Sequence, residues 1–545
     1  MRVVHGLTFD NIRGDIYGGL TAAVVALPLA LAFGVASGAG PVAGLYGAIF
    51  VGLFAALFGG TPSQISGPTG PMTVVMAGII TQYSHEPAMA FTVVMMAGVF
   101  QILFGVLRFG RYISLMPAPV ISGFMSGIGC IIIVLQLPAL VGHMAPGGIT
   151  ATIMALPDIY ANPVTDALIV GGVALFIQFL LPGSISRLIP SPLVALIVGT
   201  LAVYYVFPAA PVLGDIPTGL PALQLPTFEL ARLHGMIQSA LVLAVLGTID
   251  SLLTSLIADN VTRTHHDSNR ELIGQGIGNT IAGLFGAIPG AGATMRTVIN
   301  VRTGGRTPIS GALHALVLAA IVLGLGGLAK HIPHAVLAGI LIKVGIDIID
   351  WEYLKRIHRA PRAGVIFMLV VLLLTVFVDL ITAVTVGVVL ASLLFVKRMA
   401  DIQLDSIRRI SAGGDCGALS GAEAEILDAA DGQIMIFELN GPFSFGAARG
   451  MTRQLTEVAG YRILVLDLSA VPMLDSSASL AMEEVIQHGL DNHTPVLIIG
   501  MRPGVKHVLT RIGIFKLLSE RACFATRLEA LEQAACLIQS SLRPV

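Results

Sequence analysis

The chain has 545 residues, 55% of them hydrophobic and 12% charged, with a formal net charge of −1. A soluble globular domain carries roughly 25% charged residues, so most of this length cannot be one, and the near-zero net charge argues against nucleic acid as a partner. Cys130, Cys416, Cys523 and Cys536 show neither metal-ligand spacing nor a paired pattern, which fits a reducing compartment.

Residues 1–15 are mixed and charged, and the apolar stretch after them runs straight into a second one, so no cleavable leader is expected. From Ile16 to Val396 the chain repeatedly offers stretches long enough to cross a bilayer, which takes about 20 apolar residues. Spans are expected near 16–37, 40–60, 88–107, 112–141, 165–182, 190–207, 235–258, 271–288, 309–329, 332–349, 363–382 and 384–396. Two shorter helices near 69–83 and 294–301 bring the count to fourteen, in two sets of seven. With the N-terminus inside, the even-numbered loops hold Arg108, Arg111, Arg187, Arg263, Arg270, Arg302, Arg306, Lys355, Arg356, Arg359 and Arg362. The odd-numbered loops hold only Arg232 and Lys330. Basic residues gather in cytoplasmic loops, so the bias supports this count and places both termini in the cytoplasm. An odd number of spans per half inverts the second half relative to the first.

The two short helices each follow a break. Ser66-Gly67-Pro68-Thr69-Gly70-Pro71-Met72-Thr73 echoes Pro289-Gly290-Ala291-Gly292-Ala293-Thr294-Met295-Arg296-Thr297, about 225 residues later. Gly52–Gly59 and Ala282–Ile288, the apolar runs before them, are also alike. Gly/Pro interruptions at corresponding places in two halves point to a transporter's binding site near the midplane. A broken helix offers free N–H groups and the positive end of its dipole, which hold anions with little side-chain help. Thr69 and Thr294 start the short helices. Their hydroxyls serve as ordinary helix caps or hold an oxyanion, and the two roles are compatible. Arg296 adds positive charge there or sits at the cytoplasmic end.

Asp250 lies in the otherwise uncharged run Leu241–Ile257. An ionisable residue inside a span is expensive and marks function by default. Thr254, four residues on, shares its helix face. Carboxylate, hydroxyl and free carbonyls together suit a small hard cation. A structural aspartate bonded to a neighbouring helix, or a proton carrier, remains open from the residues alone. Asp259, Asn260, His265, His266 and Asp267 resemble a metal cluster but read better as a solvated loop. The sequence shows no Ser/His/Asp triad, Walker A loop or CxxC pair, so an enzyme is not expected, nor any cofactor.

Beyond Lys397-Arg398, residues 399–432 read as a linker and 433–545 as a soluble α/β domain. Its strands are expected near 433–440, 462–471 and 495–501, with helices near 446–458, from Ser476, near 503–515 and near 527–539. Asp475 or Ser476 can cap the helix that opens at Leu474-Asp475-Ser476-Ser477-Ala478. Ser476 and Ser477 are regulatory candidates, because a helix N-terminus favours a phosphate.

Asn11-Ile12-Arg13-Gly14-Asp15, Ala26–Gly34, Gly67–Met72, Asp259-Asn260 and Gly274-Gln275-Gly276-Ile277-Gly278-Asn279 resemble the SulP (sulfate permease) anion transporter family. The soluble domain resembles the family's STAS domain, with Asp475-Ser476-Ser477 at its phosphoserine-type turn. Phe91–Gln101 and Ile121–Gly129 are similar to the family's sodium–bicarbonate symporters. The resemblance implies an α-helical polytopic membrane protein with a 7+7 inverted repeat, split into a core of spans 1–4 and 8–11 and a gate of spans 5–7 and 12–14. It implies bicarbonate at Thr69, Ala293 and Thr294, and Na⁺ as coupling ion at Asp250, Thr254, Gly292 and Thr294. It further implies a homodimer in the inner membrane, elevator-type movement and a regulatory protein partner at the STAS domain. Rival expectations are a proton-coupled sulfate or dicarboxylate transporter using Asp250, a passive anion channel, and a membrane-tethered signalling module.

Overall fold

The computed structural model describes residues 4–110, 117–146, 148–182, 189–214, 221–378, 380–411, 419–444, 450, 452–453, 460–518 and 520–541. Arg111, Arg187, Cys416, the start of the expected 112–141 span and most of the expected 446–458 helix lie outside the described residues. The chain divides into two compact units, Met1–Val389 and Leu390–Val545.

The first unit is helical. It begins with α1 (Ile12–Ala36), α2 (Pro41–Phe58), strand β1 (Ser66–Gly67), α3 (Gly70–Gln82) and α4 (Pro87–Val106). After these come α5 (Ala118–Leu140), α6 (Ile149–Ala161), α7 (Thr165–Leu180), α8 (Ser191–Tyr205) and the long α9 (Leu233–Thr262). The series continues with α10 (Ser268–Leu284), β2 (Ala291–Gly292), α11 (Thr294–Arg302), α12 (Pro308–Ala329) and α13 (His334–Ile348). It closes with α14 (Trp351–Lys355), α15 (Arg362–Phe377) and α16 (Leu380–Asp405). Pro41, Pro87 and Pro308 stand in first turns, where the missing N–H costs nothing. A helix occupies each of the fourteen expected segments. Among the described residues, α1, α2, α4, α5 and α9 are the five long and apolar enough to cross a bilayer by length and composition. Helix α6, which falls between two expected spans and carries Pro157, meets α7 at 114°.

Packing sorts the helices into two groups. Helix α10 packs on α4 and α2, α12 on α2 and α1, α9 on α4, and α11 on α1 and α9. Separately, α13 packs on α5 and α7, α15 on α5, and α8 on α7. The groups meet where α1 touches α8 and α13 and where α3 touches α5 and α13. Between bilayer-embedded helices close approach replaces hydrophobic drive, and small residues permit it. At the α4–α10 contact a Cβ on either Gly98 or Gly276 would lie 2.5 Å from the other's carbonyl oxygen.

Among the described residues of the second unit, five strands run in the order β3 (Ile407–Ile410), β4 (Ile434–Asn440), β5 (Ile463–Ala470), β6 (Val496–Ile499), β7 (Cys523–Phe524). Only β3 is antiparallel to its neighbour; the remaining pairs are parallel. The sheet is covered on both faces, by Leu466, Leu468, Met482 and Ile498 on one side and by Ile463, Val465, Ile499 and Leu531 on the other. That explains the nearly continuous apolar text of β5 and β6. Helices α17 (Gly421–Ala429), α18 (Ser476–Asp491), α19 (Pro503–Ile512), α20 (Ile514–Leu517) and α21 (Arg527–Ser541) complete it. Residues 399–432, read as a linker, contain the end of α16, β3 and α17, and β3 is the edge of the sheet.

Candidate functional site: the crossing of two broken helices

The chain leaves α2 at Phe58 and α10 at Leu284, and both connections run inward to meet each other. There β1 and β2 pair antiparallel, Ser66 opposite Gly292 and Gly67 opposite Ala291. The Ala293 N–H donates to Ile65 O at 2.9 Å just beyond the pair. Asn279 seals the second connection, its Nδ2 donating to Gly290 O at 2.9 Å and its Oδ1 accepting from Gly290 N at 2.8 Å. Helices α3 and α11 start from this crossing, with Thr69 and Ala293 as N-caps. Neither cap residue makes a side-chain capping bond. Two helix N-termini with N–H groups to spare therefore begin at one buried place, a ready environment for an anion.

The residues singled out from the sequence gather here. Thr254 Oγ1 donates to Gly292 O at 3.0 Å and lies 2.7 Å from Thr294 Oγ1. One turn earlier on α9, Asp250 is partly accessible, while its Oδ2 is covered and makes no hydrogen bond. Its carboxylate faces the Thr69 hydroxyl and the Arg296 guanidinium, though Thr69 Oγ1 also completes no hydrogen bond. Arg296 is not at a helix end facing water. It is 2% exposed, and Nη2 donates to Pro68 O at 2.6 Å, tying the second short helix to the first break.

Sequence reading missed the scaffold beneath the site. Glu271 is 1% exposed. Its Oε2 accepts from Gly60 N and Thr61 N, both at 2.9 Å, and its Oε1 from Gln64 Nε2 and Gln275 Nε2, both at 2.8 Å. Gln275 Nε2 also donates to Ser66 Oγ at 2.6 Å, and Ser255 Oγ donates to Gln64 Oε1 at 3.0 Å. Ser251 Oγ accepts from Gly292 N at 3.0 Å. A buried carboxylate with four donors is stable only as a satisfied network, and this one pins the first break to α9 and α10.

Elsewhere, Asp259 Oδ2 lies 2.6 Å from His266 Nδ1, and His266 Nε2 lies 2.8 Å from Ser268 Oγ. The residues read from the sequence as a solvated loop are thus partly helical, since α9 runs to Thr262, and Asp259 and His266 are largely buried in this hydrogen-bonded row. The amides after Ser268, those of Asn269 and Arg270, donate to Asp267 Oδ1, so Asp267 caps α10. In the second unit Asp475, not Ser476, is the cap of α18, accepting from Ala478 N at 2.8 Å. Ser476 and Ser477 are exposed.

Helices with glycine seams, two interrupted helices crossing through short strands, and an ionisable residue beside their N-termini define a multi-pass membrane transport protein, and the second unit is a separate α/β domain. Residues 12–371 match the sulfate permease family and residues 426–530 the STAS domain, and the chain belongs to the sulfate permease family. It is a transporter of that family and not an enzyme. It is 48% identical over 548 residues to the bicarbonate transporter BicA of Picosynechococcus sp., covering 98% of this chain and 96% of that protein. The solved transmembrane domain of a cyanobacterium bicarbonate transporter BicA matches with 52% identity and a TM-score of 0.67, covering 70% of this chain and all of that one. The murine Solute Carrier 26 family member A9 anion transporter shares the fold at 19% identity, with a TM-score of 0.83 over 97% of this chain and 92% of its own.

Proposed function

We propose that this chain carries bicarbonate into the cytoplasm together with Na⁺. The observation that carries the reading is the crossing, which sets the N-termini of α3 and α11 beside Asp250. Thr69, Ala293 and Thr294 hold the anion, and Asp250, Thr254, the Gly292 carbonyl and Thr294 hold the cation. An anion next to an unneutralised Asp250 is repelled, and a Na⁺ between them turns the repulsion into mutual stabilisation. Each ligand then raises the affinity of the other. Relatives named for bicarbonate transport, one of them 48% identical, favour this anion over sulfate or a dicarboxylate.

The remaining parts of the reading follow the same frame. Fourteen crossings form an inverted repeat, which the antiparallel pairing of β1 with β2 supports. The transporter occupies residues 1–398, and the cytoplasmic STAS domain takes in β3 and α17 of the stretch 399–432 together with 433–545. The protein works as an inner-membrane homodimer with cytoplasmic termini, moves its core as an elevator, and meets a regulatory partner through the domain bearing Ser476 and Ser477. Labelled bicarbonate uptake into proteoliposomes, with and without a sodium gradient and beside sulfate and fumarate, tests it. Sodium-driven bicarbonate uptake that Asp250→Asn frees of its sodium dependence supports the reading. Proton-driven sulfate or fumarate uptake overturns it, as does sodium dependence unchanged in Asp250→Asn.

A further inference from the structure

A cavity of about 450 Å³ lies between the two helix groups, walled by α1 and α11 on one side and by α7, α13 and the start of α8 on the other. Met295, next to Thr294 of the crossing, lines it, and so do Arg302 and Thr303 at the far end of α11. Seven residues of helix separate Met295 from Arg302, about 10 Å. The cavity therefore runs alongside α11 from the neighbourhood of the crossing to the end of that helix.

Its polar wall is built of donors. Arg302 and Lys343 bring two positive charges against the single negative charge of Asp347. Gln178 is 8% exposed, and its Oε1 accepts from Ser191 Oγ at 3.1 Å. Its Nε2 is buried with no hydrogen-bond partner. A buried donor left unpaired costs free energy, and this one belongs to a residue of the cavity wall. Lys343 bonds both carboxylate oxygens of Asp347 and sits 5.6 Å from the centroid of the Phe179 ring. An ammonium has three donors, so Lys343 can bond an incoming anion without leaving Asp347.

We propose that this cavity is a second anion site, distinct from the crossing, where a small inorganic anion is held by Gln178 Nε2, Lys343 and Arg302. Asp347 is its built-in competitor. By sharing the Lys343 ammonium it keeps the site weak, so that an anion passes through rather than staying. The identity of the anion rests on the function proposed above; the existence of the site does not.

The test uses the purified full-length protein in lipid nanodiscs, in sodium-free buffer. The four native cysteines are replaced by serine, and Val344→Cys on the cavity wall reports access to a negatively charged thiosulfonate reagent. Bicarbonate, chloride and sulfate are added in separate arms. At least one of them is expected to slow labelling, and to do so equally in Asp250→Asn. Lys343→Gln should weaken that protection about tenfold, as loss of a charge-assisted hydrogen bond does, and Gln178→Leu about threefold. Asp347→Asn should strengthen it, a sign that general damage to folding does not produce and that stands even where Lys343→Gln fails to fold. Labelling that no anion slows, or protection that is the same in all three variants, overturns the site. Protection by chloride or sulfate alone would leave the site standing and count against bicarbonate as substrate. Sodium-driven bicarbonate uptake without any protection would retire the site and leave the transport reading intact.

Discussion

Gly290→Ala should force the two broken helices apart at their crossing. A Cβ on Gly290 would lie 2.5 Å from the carbonyl carbon of Gly67, 2.6 Å from its oxygen and 2.9 Å from its Cα. All three are backbone atoms, so no side chain can swing away. Reaching ordinary contact requires the strands to separate by about 0.9 Å. The Ala293 N–H to Ile65 O bond, 2.9 Å in the native crossing, would then stretch to about 3.8 Å, beyond hydrogen-bonding range. Overpacking of this kind costs about 1–3 kcal/mol, equivalent to roughly 5–150-fold in affinity. Because both ligands are assigned to this crossing, apparent affinities for bicarbonate and Na⁺ should weaken together, measured as concentration dependences of uptake in proteoliposomes. Gly78→Ala is the control. It lies in α3, a Cβ there meets nothing within 4 Å, and alanine is the better helix former by about 1 kcal/mol. Its uptake should match the parent. Parental affinities in folded Gly290→Ala would refute the reasoning.

Thr254→Val keeps the shape but deletes the bonds to Gly292 O and Thr294 Oγ1; at about 1 kcal/mol for each hydrogen bond, sodium affinity should fall roughly 5–30-fold. An unchanged sodium dependence of uptake would remove Thr254 from the cation site. Glu271→Gln points an amide at groups that are already donors, so the thermal midpoint of the purified protein should drop, by a stability loss of about 1–3 kcal/mol. A midpoint equal to the parent's would show that the network beneath the crossing is not needed. Asp475→Ala removes the cap of α18 and should cost the second unit about 1 kcal/mol of stability, read as a lower denaturation midpoint. Ser476→Ala, at an exposed position, should leave that midpoint in place.

The site was legible where it broke a pattern. Gly/Pro text interrupting apolar helices, and Asp250 alone in an uncharged run, are departures from what a bilayer tolerates, so they stand out in one dimension. The scaffold was not legible, because its residues look ordinary at the places they occupy. Glu271 coincides with the first residue of the expected span near 271–288, where a charge reads as a loop end. Helix α10 in fact begins at Ser268 under the Asp267 cap, which draws Glu271 inside against Gly60 and Thr61, some 210 residues away in sequence. No local periodicity encodes that partnership. Helix α6 was hidden by its 13 residues and internal Pro157, too short for a search tuned to bilayer thickness. In the second unit the apolar runs announced β4, β5 and β6. The edge strand β3 reads Ile407-Arg408-Arg409-Ile410, with two exposed arginines side by side, and its charges made it look like linker, which is how sheet edges are commonly protected.

The central claim is that anion and cation share one crossing and bind as a coupled pair. Equilibrium titration of the purified protein with bicarbonate at several sodium concentrations, and with Na⁺ at several bicarbonate concentrations, tests it most directly. Linkage requires each ligand to strengthen the other by the same factor, and Asp250→Asn should bring that factor to one. Affinities that are independent of each other in the parent protein would contradict the account.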